Sequence, residues 1–286
     1  MDSCHYFRKN TWKIVQTNHS SPGDVMKSLP RLFSAALVLA ATLCAAAPAM
    51  AHFGMVIPST NAVDPKTRTV ELTLSFSHPM EMEGMDLAKP AAFFVVSEGN
   101  RTDLLPALKE AKVMDHAAWK AAYAVVRPGV YTVVMEPQPY WEPAEDVSII
   151  HYTKTVVAAF GEEEGWNEPV GLKTEIVPLT RPFGNYAGFS FSGQVLVDGK
   201  PVPNATVEVE YYNEQKAITP PTPYHVTHVV QADANGVFTF ACPRAGWWGF
   251  AALTEAETTL PDPSGAQKPV EQGAVLWIKL DAWPAK

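Results

Sequence analysis

Val70-Glu71-Leu72-Thr73-Leu74-Ser75-Phe76-Ser77-His78 alternates apolar and polar residues with a period of two, the pattern of a strand with one buried face. His78 falls in phase with Val70, Leu72, Leu74 and Phe76, so its imidazole is expected to point inward with them. Phe93 to Val96, Tyr123 to Val126 and Val130 to Met135 read as further strands, the last two separated by Arg127-Pro128-Gly129. Ser148 to Ala159 is rich in β-branched residues and continues the sheet. Its alternation puts Ile149 and His151 on one face and Ile150 and Tyr152 on the other. Leu104 to Ala122 is the one stretch that reads as helix.

A Pro- and Gly-marked segment, Val177-Pro178-Leu179-Thr180-Arg181-Pro182-Phe183-Gly184, separates these strands from a second set. Phe189 to Val197, a turn at Asp198-Gly199, and Thr206 to Tyr212 form a strand, turn, strand unit. Ala234-Asn235-Gly236 makes another tight turn before Val237 to Ala241, and Gly246 to Leu253 and Ala274 to Leu280 supply later strands. The expected fold is therefore all-β: two consecutive Greek-key, Ig-like β-sandwich domains over 52–184 and 185–286, with one short helix in the first.

Residues 1–51 stand apart from this pattern. They hold a basic stretch (Lys27, Arg31), an apolar run from Leu32 to Leu43, and small residues ending Ala49-Met50-Ala51. These are the parts of a secretory signal peptide preceded by an N-terminal extension, and Met26 is the expected true start. The apolar run is about a dozen residues, too short to span roughly 30 Å of hydrocarbon as a permanent helix. Cleavage after Ala51 would leave His52 first in a mature periplasmic chain. It would also remove Cys4 and Cys44, leaving Cys242 without a disulfide partner, and would deepen the formal charge from −8 to about −11. Nucleic acid is excluded as a natural partner.

An N-terminal histidine offers two metal donors at once, because its α-amine and imidazole Nδ1 close a six-membered chelate ring. His52 is therefore the leading candidate ligand, and the inward-facing His78 and His151 are candidates to complete the site. A nitrogen-rich set of this kind suits Ni, Co, Cu or Zn. Glu142 and Asp146, in the proline-stiffened loop Glu136 to Asp146, are weaker candidates. So are His225 and His228, which diverge on an extended strand, while His116 reads as surface. His78-Pro79-Met80-Glu81-Met82-Glu83-Gly84-Met85 adds thioethers that soft Cu(I) favours, although methionine is also an ordinary core filler. No Gly-x-Ser-x-Gly or phosphate-binding glycine loop is present, so acyl and phosphoryl transfer have no support.

Ala51-His52-Phe53-Gly54-Met55, Phe76-Ser77-His78-Pro79, Pro139-Tyr140-Trp141-Glu142-Pro143, Ile150-His151-Tyr152-Thr153-Lys154, Pro178-Leu179-Thr180-Arg181-Pro182 and Gly246-Trp247-Trp248-Gly249-Phe250 resemble the periplasmic nickel/cobalt uptake components once known only as a domain of unknown function. The resemblance implies a non-enzymatic accessory subunit that binds Ni²⁺ or Co²⁺ through His52, His78 and His151 and works with membrane metal transporter subunits. The second half also resembles carboxypeptidase-regulatory or transthyretin-like sandwiches, which speaks to fold alone. Two other readings of the residues stay open: a copper-binding periplasmic protein, and a copper oxidoreductase built on an N-terminal histidine brace.

Overall fold

A computed structural model describes residues 52–285; the expected signal peptide lies outside them. The strands that build its layers are β1 (Phe53–Pro58), β2 (Thr69–His78), β3 (Ala92–Ser97), β4 (Lys109–Val113), β5 (His116–Ala124), β6 (Gly129–Glu136), β7 (Tyr140–Glu142), β8 (Val147–Ala159), β9 (Thr174–Pro178), β10 (Ser190–Val197), β11 (Thr206–Tyr211), β12 (His228–Gln231), β13 (Val237–Ala241), β14 (Gly246–Glu255) and β15 (Val270–Asp281). The fold is all-β, and its only helical pieces among the described residues are two 3-10 turns, Leu105–Ala107 and Pro223–His225.

The alternating stretch of β2 behaves as its pattern dictates. Val70, Leu72, Leu74 and Phe76 are buried in one core with Val56, Phe93, Val95, Tyr131, Val133, Ile149 and Val157. That core lies between a sheet ordered β1-β2-β5-β4 and the β8-β6-β3 portion of a second, larger sheet. A second core, built from Phe191, Val195, Val207, Val209, Phe238, Phe250, Leu276 and Ile278, lies between β9, β10 and β13 and the β12-β11-β14-β15 portion of that same larger sheet. Each half thus encloses its own core, and the halves share a layer. The seam is a parallel pairing of β8 with β15 from Ser148↔Val270 to Thr155↔Trp277. Strand β1 is buried on both faces, Val56 against the first core and Phe53 and Met55 against Trp247, Ala251, Val275 and Trp277.

Two local expectations are corrected. Leu104 to Ala122 is not a helix: after the 3-10 turn it forms the antiparallel hairpin β4–β5, paired from Lys109↔Lys120 to Val113↔His116. Its Ala, Lys and Glu content favours helix, but Met114 and Asp115 adopt positive φ values of 51° and 66°, which a helix does not tolerate. Pairing of β5 with β2 then supplies the backbone partners. The strand, turn, strand unit at Asp198-Gly199 is also shorter than expected. Both turn residues are left-handed, at φ 50° and 71°, as a two-residue hairpin turn requires. The return strand, however, covers only Lys200–Pro201. Pro203 and the positive-φ Asn204 break it, and Thr206–Tyr211 pairs with β12 and β14 in the opposite layer.

Candidate metal centre

All three expected histidines are buried and gather at one end of the first core. His78 closes β2 and His52 immediately precedes β1. The antiparallel register Phe53↔Ser77, continued one step, sets His52 opposite His78. Their rings lie 4.6 Å apart at 53°. His151 stands on β8 in phase with the buried Ile149 and is 1% exposed, as the period-two reading of that strand requires.

Each ring nitrogen with a visible partner limits what it can do next. His52 Nε2 lies 3.2 Å from Glu142 Oε2, so the Nε2–H is donated to the carboxylate and Nδ1 is left for a metal. Glu142 commits its other oxygen as well, Oε1 accepting the backbone N–H of Ala144 at 2.9 Å. A carboxylate occupied on both sides orients His52; it does not stand ready as a ligand. His151 is fixed the opposite way round. Its Nδ1 accepts the Gly54 N–H at 3.3 Å, and Nε2 reaches Glu271 Oε1 at 3.4 Å. Only Nε2 can serve a metal, in exchange for that hydrogen bond.

Gly273 makes room for the His151 ring, and Gly54 for the Thr153 hydroxyl and the His151 main chain beside it. A Cβ on Gly273 would come within 2.4 Å of His151 Cδ2, and one on Gly54 within 2.3 Å of Thr153 Oγ1. Phe76 lies between the histidines, stacked on His52 at 5.6 Å and edge-on to His151 at 5.7 Å. The cluster is therefore a pair, His52 and His78, with His151 behind a phenyl ring. Among the described residues no three His, Cys, Asp or Glu side chains converge as they stand on a point that would hold a metal.

Electrostatically the site is a set of imidazoles ringed by carboxylates. Burial holds His52 below the ordinary imidazole value and the nearby His151 adds to this, while Glu142 and Glu271 act against both. Burial alone would raise Glu271, but its hydrogen bond to His151 and the charges of His151 and His52 bring it below the usual range. Burial pushes Glu208 up to about 7, with the charges of Glu271 and Glu145 adding to it. Glu208 Oε2 is buried without a hydrogen-bond partner.

The weaker candidates are placed elsewhere. Asp146 is ion-paired with Lys268 at 2.6 Å. His225 bonds Thr222 at 2.8 Å, and His228 packs on Phe240 with ring centroids 5.5 Å apart. His116 is 44% exposed beside Asp86. Among the methionines, Met80 is 7% exposed and Met85 packs on the first core, so both thioethers serve packing. Cys242 is buried and free, its thiol pushed up to about 12 by burial. Sequence reading missed Glu271 and Gly273, whose strand it began only at Ala274.

The family model described as Domain of unknown function (DUF4198) matches residues 49–256. The chain belongs to this family. His52, His78, Glu142 and His151 fall inside the DUF4198 match, whereas Glu271 and Gly273 lie past its C-terminal limit. A search of curated proteins returns no match. Among solved structures, the D0-D1 domain of Intimin is 9% identical with a TM-score of 0.21, over 79% of this chain and 99% of that one. A mutant of Salmonella alpha-2-macroglobulin is 12% identical with a TM-score of 0.25, over 84% of this chain but only 15% of that one. A tandem of domains from titin is 9% identical with a TM-score of 0.21, over 81% and 66%.

Proposed function

We propose that this DUF4198 protein binds Ni²⁺ or Co²⁺ in the periplasm, as the accessory component of a membrane uptake transporter, and catalyses no reaction. The observation that carries the reading is the pairing of His52 with His78, with His52 Nε2 tied to Glu142. That hydrogen bond selects the tautomer whose Nδ1 is free, the nitrogen that closes a chelate ring with an α-amine once His52 is N-terminal. His78 lies within reach as a further donor. His151 Nε2 becomes one when Phe76 shifts, and the surrounding carboxylates raise the local concentration of cations. The metal is cargo, so the site needs affinity and exchange but no open position for a substrate.

Copper is the second reading, because nitrogen donors intrinsically hold Cu²⁺ more tightly than Ni²⁺. Calorimetric titration of Ni²⁺, Co²⁺ and Cu²⁺ into protein beginning at His52 separates the two. The companion titration uses protein with one residue added ahead of His52. Loss of tight Ni²⁺ binding on that addition is expected, and unchanged affinity would eliminate the terminal chelate. Oxygen consumption with copper and a reductant tests the histidine-brace oxidoreductase alternative.

A further inference from the structure

A cleft of about 760 Å³ opens where the ends of β1 and β2 face the ends of β11, β14 and β15. Ile57 lines it, five extended residues from His52 and so about 16 Å along the strand, which separates it from the histidines. Its floor is a cross-strand row. Trp247 on β14 is in register with Lys279 on β15, and Tyr212, just past β11, donates its backbone N–H to the Trp247 carbonyl. Arg244 and Lys279 both line this cleft, and neither enters an ion pair among the described residues. The Arg244 guanidinium lies over the Tyr211 ring of the same lining, 6.0 Å from its centroid.

The aromatic wall is likewise left with open donors. Buried Trp248 and Trp277 direct their indole N–H groups at backbone carbonyls. Among the described residues neither the Trp247 indole N–H nor the Tyr212 hydroxyl makes such a bond, and neither atom is buried, so both are open to a molecule in the cleft. Across the rim, Glu71, Glu214 and Asp281 supply carboxylates. A simple anion would meet repulsion from that rim, and a simple cation would meet Lys279 and Arg244. A molecule carrying both charges on an apolar body satisfies the whole lining.

We propose that this cleft binds a small zwitterion of the α-amino-acid class with an apolar or aromatic side chain. Its carboxylate lies against Lys279 and Arg244, its ammonium faces the rim carboxylates, and its side chain packs on Trp247 and Tyr212. The proposal is independent of metal binding at His52.

The test is calorimetry on the full chain with EDTA present, using L-phenylalanine, 3-phenylpropionate and phenethylamine as probes. The amino acid should bind at least about tenfold more tightly than either half-molecule. Lys279→Met and, separately, Arg244→Ala should each weaken it by about fivefold or more while leaving near-UV circular dichroism unchanged. Arg244 is exposed, so its loss does not threaten the fold. Absence of L-phenylalanine binding at millimolar concentration, equal or tighter binding of either half-molecule, or full affinity in the Arg244→Ala protein would overturn the proposal.

Discussion

Glu142 acts on His52 from the side a metal does not use. Carboxylates that hold an imidazole in this way typically contribute one to two orders of magnitude to metal affinity. Glu142→Ala should therefore weaken Ni²⁺ binding about 10- to 100-fold with little change in thermal stability; calorimetry beside a melting curve checks both. Glu210 carries a different consequence. It is fully buried on β11, hydrogen-bonded to the Thr227 hydroxyl and the Met80 backbone N–H. Burial raises it from 4.5 to about 8, more than those two hydrogen bonds lower it, with Glu208 and Glu81 adding to the rise. Between these values the native state keeps a proton that the unfolded chain has lost, so stability should fall as pH rises from about 4.5 to 8. Denaturant midpoints across that range measure the slope, and Glu210→Gln should flatten it. Residue positions of this kind were partly legible. The inward faces of His78 and His151 follow from a period of two. Glu271 and Gly273 do not, because their relation to His151 is made by strands about 120 residues apart and no local pattern encodes it.

At the scale of an element, the backbone at 170–172 is tied to the sheet through a buried ion pair, beside the packing of Leu172 on Phe94 and Val134. Lys154 on β8 and Glu175 on β9 are each 2% exposed and bonded to one another. Glu175 also accepts the backbone N–H groups of Val170, Gly171 and Leu172 at 2.8, 3.0 and 3.4 Å. Burial lowers Lys154 against the opposing pull of Glu175. Removing one partner strands the other charge, so Glu175→Ala should cost about 3–5 kcal/mol. Replacing both, as in Lys154→Met with Glu175→Leu, should cost less on this ground, though three backbone donors then lose their acceptor. Urea denaturation of both variants tests the comparison. Element type was readable where alternation was strict, as in β2, or where β-branched residues were dense, as in β8. It failed at Leu104 to Ala122, where helix-favouring residues carry no alternation and two left-handed turn residues, Met114 and Asp115, decide the outcome.

Across the whole molecule, the all-β class and the two cores follow from patterning, but the layer that unites them does not. The boundary expected near Asn185 rests on a real composition change. A Pro/Gly marker in sequence says nothing, however, about whether the strands on either side will later lie side by side. Here they do, over eight paired positions from Ser148↔Val270 to Thr155↔Trp277. Trp277 Nε1 also donates to the Gly54 carbonyl at 2.8 Å, which ties the end of the chain to the strand beside His52. A fragment limited to 52–184 should therefore lack cooperative unfolding and bind Ni²⁺ weakly, as judged by thermal melts and calorimetry. A fragment that melts sharply and binds like the intact protein would show that the shared sheet is dispensable.

The parallel seam also sets an order of events in folding. The niche that receives the His151 imidazole is finished by Gly273, a residue far downstream of His151 in the sequence. Until that residue is in place the polypeptide carries a half-made pocket and an unpaired β8 edge, and it must stay clear of non-native partners. Capacity to capture metal should consequently appear abruptly, once the closing strand has paired, and not grow in proportion to the length of chain available to fold.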